Sequence, residues 1–189
     1  MDFSVVLLHR NPQYLQKCCD LINSEWKRSD TARFRSLESS CDQLPTSLIL
    51  LRGNKVLGHV KLSVIPSIPN SCFIESVVIA HNERGKGLGT LLMQKAEDYC
   101  RTVLHLDVVY LSTKGQEEFY RKLGYIECMP ISIYGSFTPT VQNSFKNNIN
   151  VERISTNDIK NIPAPPPMPV KNNIISTTKT FMKKDLTNC

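Results

Sequence analysis

Six consecutive residues, Arg84-Gly85-Lys86-Gly87-Leu88-Gly89, carry the most specific chemistry in the chain. Glycines at alternate positions let the backbone approach a ligand closely, and the two cations suit a diphosphate. An amphipathic helix is predicted just beyond them, so its unpaired N-terminal N–H groups and partial positive charge face the same place. The segment reads as a pyrophosphate cradle. It is not a Walker loop, which needs a Lys-Ser/Thr pair after its last glycine where this chain has Thr90-Leu91, and its glycine spacing is not the dinucleotide fingerprint. Taken alone, the pattern also describes a glycine-rich turn with exposed basic residues.

A second segment with chemical character runs from Trp26 to Leu37 and holds Arg28, Arg33 and Arg35 beside the tryptophan. Guanidinium forks pair bidentately with carboxylates, so this stretch suits an acidic acceptor and disfavours cationic ones such as polyamines or aminoglycosides. A solvated basic face is the plain alternative.

The elements that must position these residues follow from periodicity. Val5 to Leu8 predicts a first strand, and Asn11-Pro12 the start of a helix buried through Leu15, Cys18 and Ile22, with Trp26 one turn further on. Ser47–Arg52 and Lys55–Ser63 are strand-like runs joined by Gly53-Asn54, a hairpin signal. Cys72 to Ala80 predicts a largely apolar strand carrying Glu75. A helix over about 90–103 buries Leu92, Ala96, Tyr99 and Val103; a strand over Val108–Ser112, a short helix over Gln116–Leu123 and a strand over Tyr125–Ile133 follow. From Cys72 onward the alternation is α/β. Residues 135–173 read as a proline-containing loop, polyproline II at its centre, and Ile174–Phe181 as a probable last strand. The 189 residues are expected to form a single domain.

Arg84, Gly87 and Gly89 satisfy the signature of the GNAT acetyltransferase superfamily, which the chain resembles; Phe119-Tyr120-Arg121-Lys122-Leu123-Gly124-Tyr125 is similar to its second landmark. The resemblance covers about residues 47–133 and implies an α/β fold with a mixed, mostly antiparallel sheet flanked by helices and splayed open for acetyl-CoA. It implies that the backbone of Val77, Val78 and Ile79 pairs with the pantetheine arm, that Arg84, Gly85, Lys86, Gly87, Leu88 and Gly89 hold the pyrophosphate, and that Gln116 also touches the cofactor. Tyr120 is then the acid for the leaving thiolate, or else a tyrosine that merely covers the sheet. Glu75 sits where some relatives carry a catalytic glutamate, and a structural carboxylate is the alternative; Tyr110 is a weaker base candidate, and His105 sits at a helix exit.

With its Trp, Arg-Ser, Thr and Arg pattern upstream and a late proline run, the chain resembles in particular the actin N-terminal acetyltransferases of animals. That implies acetylation of an acidic protein N-terminus lacking initiator Met, processed actin being the expected acceptor; acetylation of a different protein N-terminus or a lysine, or a non-enzymatic proline-presenting adaptor, is the alternative. Trp26, Arg33, Arg35 and Ser36 carry over as acceptor contacts, with Thr113 and Lys114 on the loop beyond the strand; Lys114 is chosen on electrostatic grounds. Pro163 to Pro169 corresponds to a run associated in that family with profilin, although its longest uninterrupted stretch is only Pro165-Pro166-Pro167, and a loop stiffener is the alternative.

Composition narrows the other classes. Seven scattered cysteines without a C-x-x-C pair or His-bearing spacing predict reduced core residues and no metal site. No stretch has the length and apolarity of a membrane span, and the start of the chain lacks a signal-peptide pattern, so a cytosolic protein is expected. The net charge of +6 admits an anionic partner, but it is spread over cradle, arginine segment and tail without a nucleic-acid reading surface.

Overall fold

The structure, a computed structural model of the chain, describes residues 3–133 and 179–187. The predicted hairpin is formed by β2 (Thr46–Arg52) and β3 (Lys55–Val64), antiparallel across Gly53 at φ +56°. On the outer side of β2 lies β1 (Phe3–Leu7), and on the far side of β3 lies β4 (Ser71–Ile79), both antiparallel to their neighbours. Among the described residues the single parallel pairing joins β4 to β5 (Val108–Thr113). β6 (Ile126–Glu127) and β7 (Thr180–Asp185) complete a seven-stranded sheet in the order β1-β2-β3-β4-β5-β7-β6.

β2 reads as a continuous apolar run because both faces of the sheet are covered. Its Leu48 and Leu50 face α3 (Leu88–Thr102), packing with Val60, Leu62, Leu92, Met93 and Ala96. Ile49 and Leu51 face the other way, onto Cys18, Cys19 and Ile22 of α1 (Leu15–Glu25) and Leu37 of α2 (Asp30–Glu38). Full burial of a residue such as Ile22 or Leu92 contributes about 1.5–3 kcal/mol. Gly58 allows β3, β4 and α3 to close up, since a Cβ there would lie 2.7 Å from Ile79 Cδ1 and 3.2 Å from the Val78 carbonyl. The short α4 (Glu117–Lys122) buries Tyr120 against the α3 side of the core.

Four expectations change. Asn11 does not cap α1: its Nδ2 donates to the Leu7 carbonyl at 2.9 Å, and a single 3-10 turn from Pro12 to Tyr14 intervenes before the helix. The basic segment contains the helix α2, capped by Ser29, whose Oγ accepts from Ala32 N. The strand expected over 125–133 is confined to two residues, because beyond the Cys128 N–H bond to Phe181 O the chain reaches Pro130, which has no N–H to offer a ladder. The last strand runs to Asp185 rather than stopping at Phe181, inserted between β5 and β6, while residues 174–178 and the proline run lie outside the described residues. Cys18, Cys19, Cys72 and Cys100 are core residues as expected; Cys41 is exposed and Cys128 half-buried.

Candidate active site

The parallel pairing of β4 with β5 covers Ser71–Ile74 against Val108–Leu111 and then stops, while β5 continues to pair with β7 through Thr113. From Glu75 onward the two strands part. On the other side of β4 the register with β3 slips: His59 faces Val78 and Lys61 faces Glu75, so Ser76 and Val77 stand opposite the single residue Val60. This is a β-bulge, with Ser76 at φ +55°. A regular strand would send Ser76 to the opposite face from Glu75 and Val77. Instead all three line one cleft of about 790 Å³ at the point of divergence.

Most of the residues expected to do chemistry meet there. Glu75 and Val77 form the β4 wall, Thr113, Lys114, Gln116 and Tyr120 the opposite wall, and Trp26 the rim. Phe73, Ser112, Phe181, Lys179 and Ile131 to Ile133 also line it, and none of these was singled out from sequence. Val78 and Ile79 do not line the cleft with their side chains, which are buried toward α1 and α3 respectively.

The glycine segment leads into α3 directly beyond β4. Gly85 and Gly87 have φ of +76° and +78°, Gly87 is the N-cap, and a Cβ on either would meet nothing within 4 Å. Nothing packs on the loop at Gly85 or Gly87, so a ligand can approach its backbone and the start of α3, as a pyrophosphate cradle requires. Leu88 is buried beneath the loop and Gly89 packs near Phe119. The two cations are already engaged. Arg84 donates from Nε to the Ile79 carbonyl at 3.0 Å and from a terminal nitrogen to Glu25 at 2.5 Å, and Glu25 lines the cleft. Lys86 pairs with Glu83 at 2.9 Å, whose carboxyl is held below its usual range by hydrogen bonds from Lys86 and Arg52.

Tyr120 is 9% exposed, with Phe119 and Tyr125 edge-on to its ring, and burial pushes its pKa up to about 12. The phenol is protonated at neutral pH and can donate a hydrogen bond to an anion in the cleft. Against a thiol of reference pKa about 8.5, full proton transfer is uphill. Glu75 accepts from Ser63 Oγ at 2.5 Å and pairs with Lys61 Nζ at 3.4 Å, both through Oε1. Tyr110 does not line the cleft and His105 is exposed at the exit of α3.

A second hollow of about 320 Å³ adjoins the cleft and shares Glu75, Ser76 and Ile133 with it. Arg28, Arg33, Ser36 and Lys61 line it, so it carries three cations. Arg33 is 8% exposed and ties the chain between α1 and α2 together, donating to Asn23 Oδ1 at 3.0 Å and to the Trp26 carbonyl at 2.8 Å. Burial, with Arg28 nearby, lowers its pKa. Ser36 Oγ accepts from Lys61 Nζ at 3.0 Å. Arg35 is exposed on α2 and lines neither hollow. Lys61 escaped the sequence reading because its role depends on the β3–β4 register; a lysine between Val60 and Leu62 in the interior of a strand was the available signal. Among the described residues no cluster of His, Cys, Asp and Glu could hold a metal ion, and no helix is long and apolar enough to cross a membrane.

Comparison with known proteins accords with this architecture. The chain is 37% identical over 121 residues to mouse N-alpha-acetyltransferase 80, a match covering 60% of this chain and 38% of the mouse protein. It thus spans about two fifths of the length of that relative. Its fold is similar to a solved acetyltransferase of the GNAT family from Staphylococcus aureus, with a TM-score of 0.62 at 14% identity over 98% of this chain and 99% of the other. A spermidine/spermine N-acetyltransferase from Vibrio cholerae superimposes with a TM-score of 0.60 at 16% identity, covering 98% and 94%. The profile of the acetyltransferase (GNAT) family, whose co-substrate is acetyl-CoA, matches residues 13–125, a span holding the diverging strands, the cradle and Tyr120, and the chain belongs to that family.

Proposed function

We propose that this protein transfers the acetyl group of acetyl-CoA to the α-amine of an acidic protein N-terminus that has lost its initiator Met, processed actin being the acceptor that fits best. The observation that carries this reading is the cationic hollow of Arg28, Arg33 and Lys61, which shares Glu75 and Ser76 with the cleft between the diverging strands. The resemblance to an N-alpha-acetyltransferase supports an N-terminal amine over a lysine side chain.

In the proposed reaction the cradle from Arg84 to Gly89 takes the pyrophosphate, the backbone of Val77 to Ile79 takes the pantetheine arm, and Gln116 adds a further contact. The α-amine attacks the thioester carbonyl, a C–N bond forms, and the C–S bond breaks. With a reference pKa of about 8, a sizeable fraction of that amine is already neutral near pH 7, so the demand on a base is small. Glu75 Oε2 is assigned to receive the ammonium proton directly or through water. Backbone N–H groups at the bulge polarise the carbonyl, and Tyr120 stabilises the departing thiolate by hydrogen bonding. The first acidic side chain of the acceptor enters the hollow, where Lys61 and Arg28 meet its carboxylate; Lys114 and Lys179 meet later ones, and Trp26 covers the rim. Arg35 is not part of this assignment.

A cytosolic enzyme meets processed actin where it is made, and the Pro163 to Pro169 run, outside the described residues, is assigned to profilin on the resemblance alone. The test is a peptide panel with purified protein and acetyl-CoA. Peptides beginning Asp-Asp-Asp or Glu-Glu-Glu should react at least tenfold faster, in kcat/KM, than Met-initiated or basic peptides, and Lys61→Met should erase most of that preference. Equal rates across the panel would remove the acidic specificity, and no CoA release with any acceptor would remove the activity.

A further inference from the structure

His59 lies on β3, away from every wall of the cleft, and is 1% exposed. Its Nδ1 is 3.0 Å from the carbonyl oxygen of Ser76, and its Nε2 is 3.2 Å from Ser47 Oγ on β2. A carbonyl only accepts, so Nδ1 carries the proton. Burial drives the ring toward the neutral form, and Lys61 and Arg33 add repulsion against a second proton. Nε2 is then the acceptor, and the Ser47 hydroxyl donates to it. The Ser76 carbonyl of β4 sets the tautomer, and the Ser47 hydroxyl of β2, which can donate or accept, satisfies the nitrogen left over.

Ser76 is the residue at φ +55°, where the register between β3 and β4 slips by one. A non-glycine residue there is strained, and the bulge takes its carbonyl out of the regular ladder. The bulge is also what lets Glu75, Ser76 and Val77 face the cleft in succession. The thioester of the proposed reaction has to lie against this stretch of backbone. A misplacement of about 1 Å at such a position can lower the rate about a hundredfold.

We infer that His59 is a positioning residue for acetyl transfer, its Nδ1–H holding the Ser76 carbonyl so that the bulged backbone of β4 presents Ser76 and Val77 to the thioester. The inference rests on the acetyltransferase reading proposed above, and on the geometry of three strands that the reading does not otherwise use. It distinguishes the two ring nitrogens. Asn at this position places an amide N–H where Nδ1 stands; Gln places its polar group where Nε2 stands.

The experiment compares wild type, His59→Asn, His59→Gln and Ser47→Ala. It measures acetyl-CoA affinity by calorimetry, kcat and KM with an Asp-Asp-Asp peptide, and cooperative thermal unfolding. His59→Asn should keep kcat within about threefold of wild type. His59→Gln should lower kcat about 10- to 100-fold while peptide KM changes less than threefold, and acetyl-CoA affinity should fall in the same order, Asn above Gln. Ser47→Ala keeps the ring but leaves the buried Nε2 without its donor, which loosens the hold on the ring, and should fall between the two. The inference is overturned if Asn and Gln are equally impaired, or if both match wild type. It is also overturned if neither His59 variant folds and Ser47→Ala retains full kcat and full affinity. A wild-type protein that binds acetyl-CoA without acetylating the peptide sinks the acceptor assignment instead, and the order of acetyl-CoA affinities still decides the role of His59.

Discussion

The burial of His59 predicts a pH dependence of stability that can be separated from that of the shifted carboxyl groups among the described residues. Burial pushes its pKa down from 6.5 to about 4, against the Ser76 carbonyl, which favours the proton, and with the Lys61 and Arg33 charges, which oppose it. Above pH 6.5 the side chain is neutral in both folded and unfolded chains and contributes no pH dependence. Between 6.5 and 4 the unfolded chain binds a proton that the native state refuses, so stability falls as the pH falls. The gap corresponds to about 3 kcal/mol, fully lost once the pH passes below about 4. Asp42, Glu83, Glu117 and Asp185 have carboxyl groups held below their usual range by hydrogen bonds, so their losses set in mainly under pH 4.5. The upper part of the window thus belongs to histidine. Urea unfolding at several pH values between 7.5 and 4, on wild type and His59→Asn, isolates the contribution. Wild type should lose about 3 kcal/mol more than the variant across this range. Parallel curves for the two proteins would refute the neutral, buried imidazole, and with it the role of Nε2 as an acceptor from Ser47.

Three further outcomes are expected. Gly58→Ala should destabilise by about 1–3 kcal/mol in urea unfolding, because the new Cβ meets not only the mobile tip of Ile79 but the Val78 carbonyl at 3.2 Å, which cannot move without shifting β4. Lys184→Met should cost about 3 kcal/mol by leaving the buried Glu97 carboxylate, now bonded by Lys184 at 2.6 Å and Tyr125 at 2.9 Å, short of a charge partner; adding Glu97→Gln should restore most of the loss in a double-mutant cycle. Tyr120→Phe should lower kcat about 10- to 100-fold with little change in acceptor KM, and an unchanged kcat in steady-state assays would exclude the phenol from stabilising the leaving group.

The cradle was legible in the sequence because its requirements are local: glycines at positive φ, cations beside them and an amphipathic helix within one segment. The hairpin was legible for the same reason. What escaped is what depends on pairing between distant segments. The bulge at Ser76 has no glycine or proline to announce it; it follows from Val78 facing His59 while Glu75 faces Lys61. Lys61 and Ser63 looked like ordinary strand residues until that register set them beside Glu75. The arginine segment was read as one acceptor surface, yet its three guanidiniums diverge. Arg28 faces the hollow, Arg33 is half consumed in fastening Trp26 and Asn23, and Arg35 points elsewhere on α2. Helical periodicity could have separated them, but the short, polar α2 buries only Arg33 and Leu37 and gives a weak pattern.

The position of Tyr120 bears on where the proposed chemistry draws its stabilisation. A phenol with a pKa of about 12 is protonated at neutral pH and transfers its proton to a thiolate only uphill. In the proposed reaction its contribution would be a hydrogen bond to the leaving sulfur, available when the C–S bond is nearly broken. The earlier step, charge building on the carbonyl oxygen as the amine attacks, needs donors that are already aimed. At Ser76 and Val77 the backbone of β4 has lost its regular pairing on both sides, β5 having diverged after Leu111 and β3 slipping register at Val60 before pairing again at Val78. Preorganised backbone donors of this kind stabilise a developing oxyanion without reorganising during the reaction. It follows that variants which move the bulge, rather than variants of the acid, should show the larger loss when amine attack limits the rate, and that the order should reverse with acceptors for which thiolate departure is limiting.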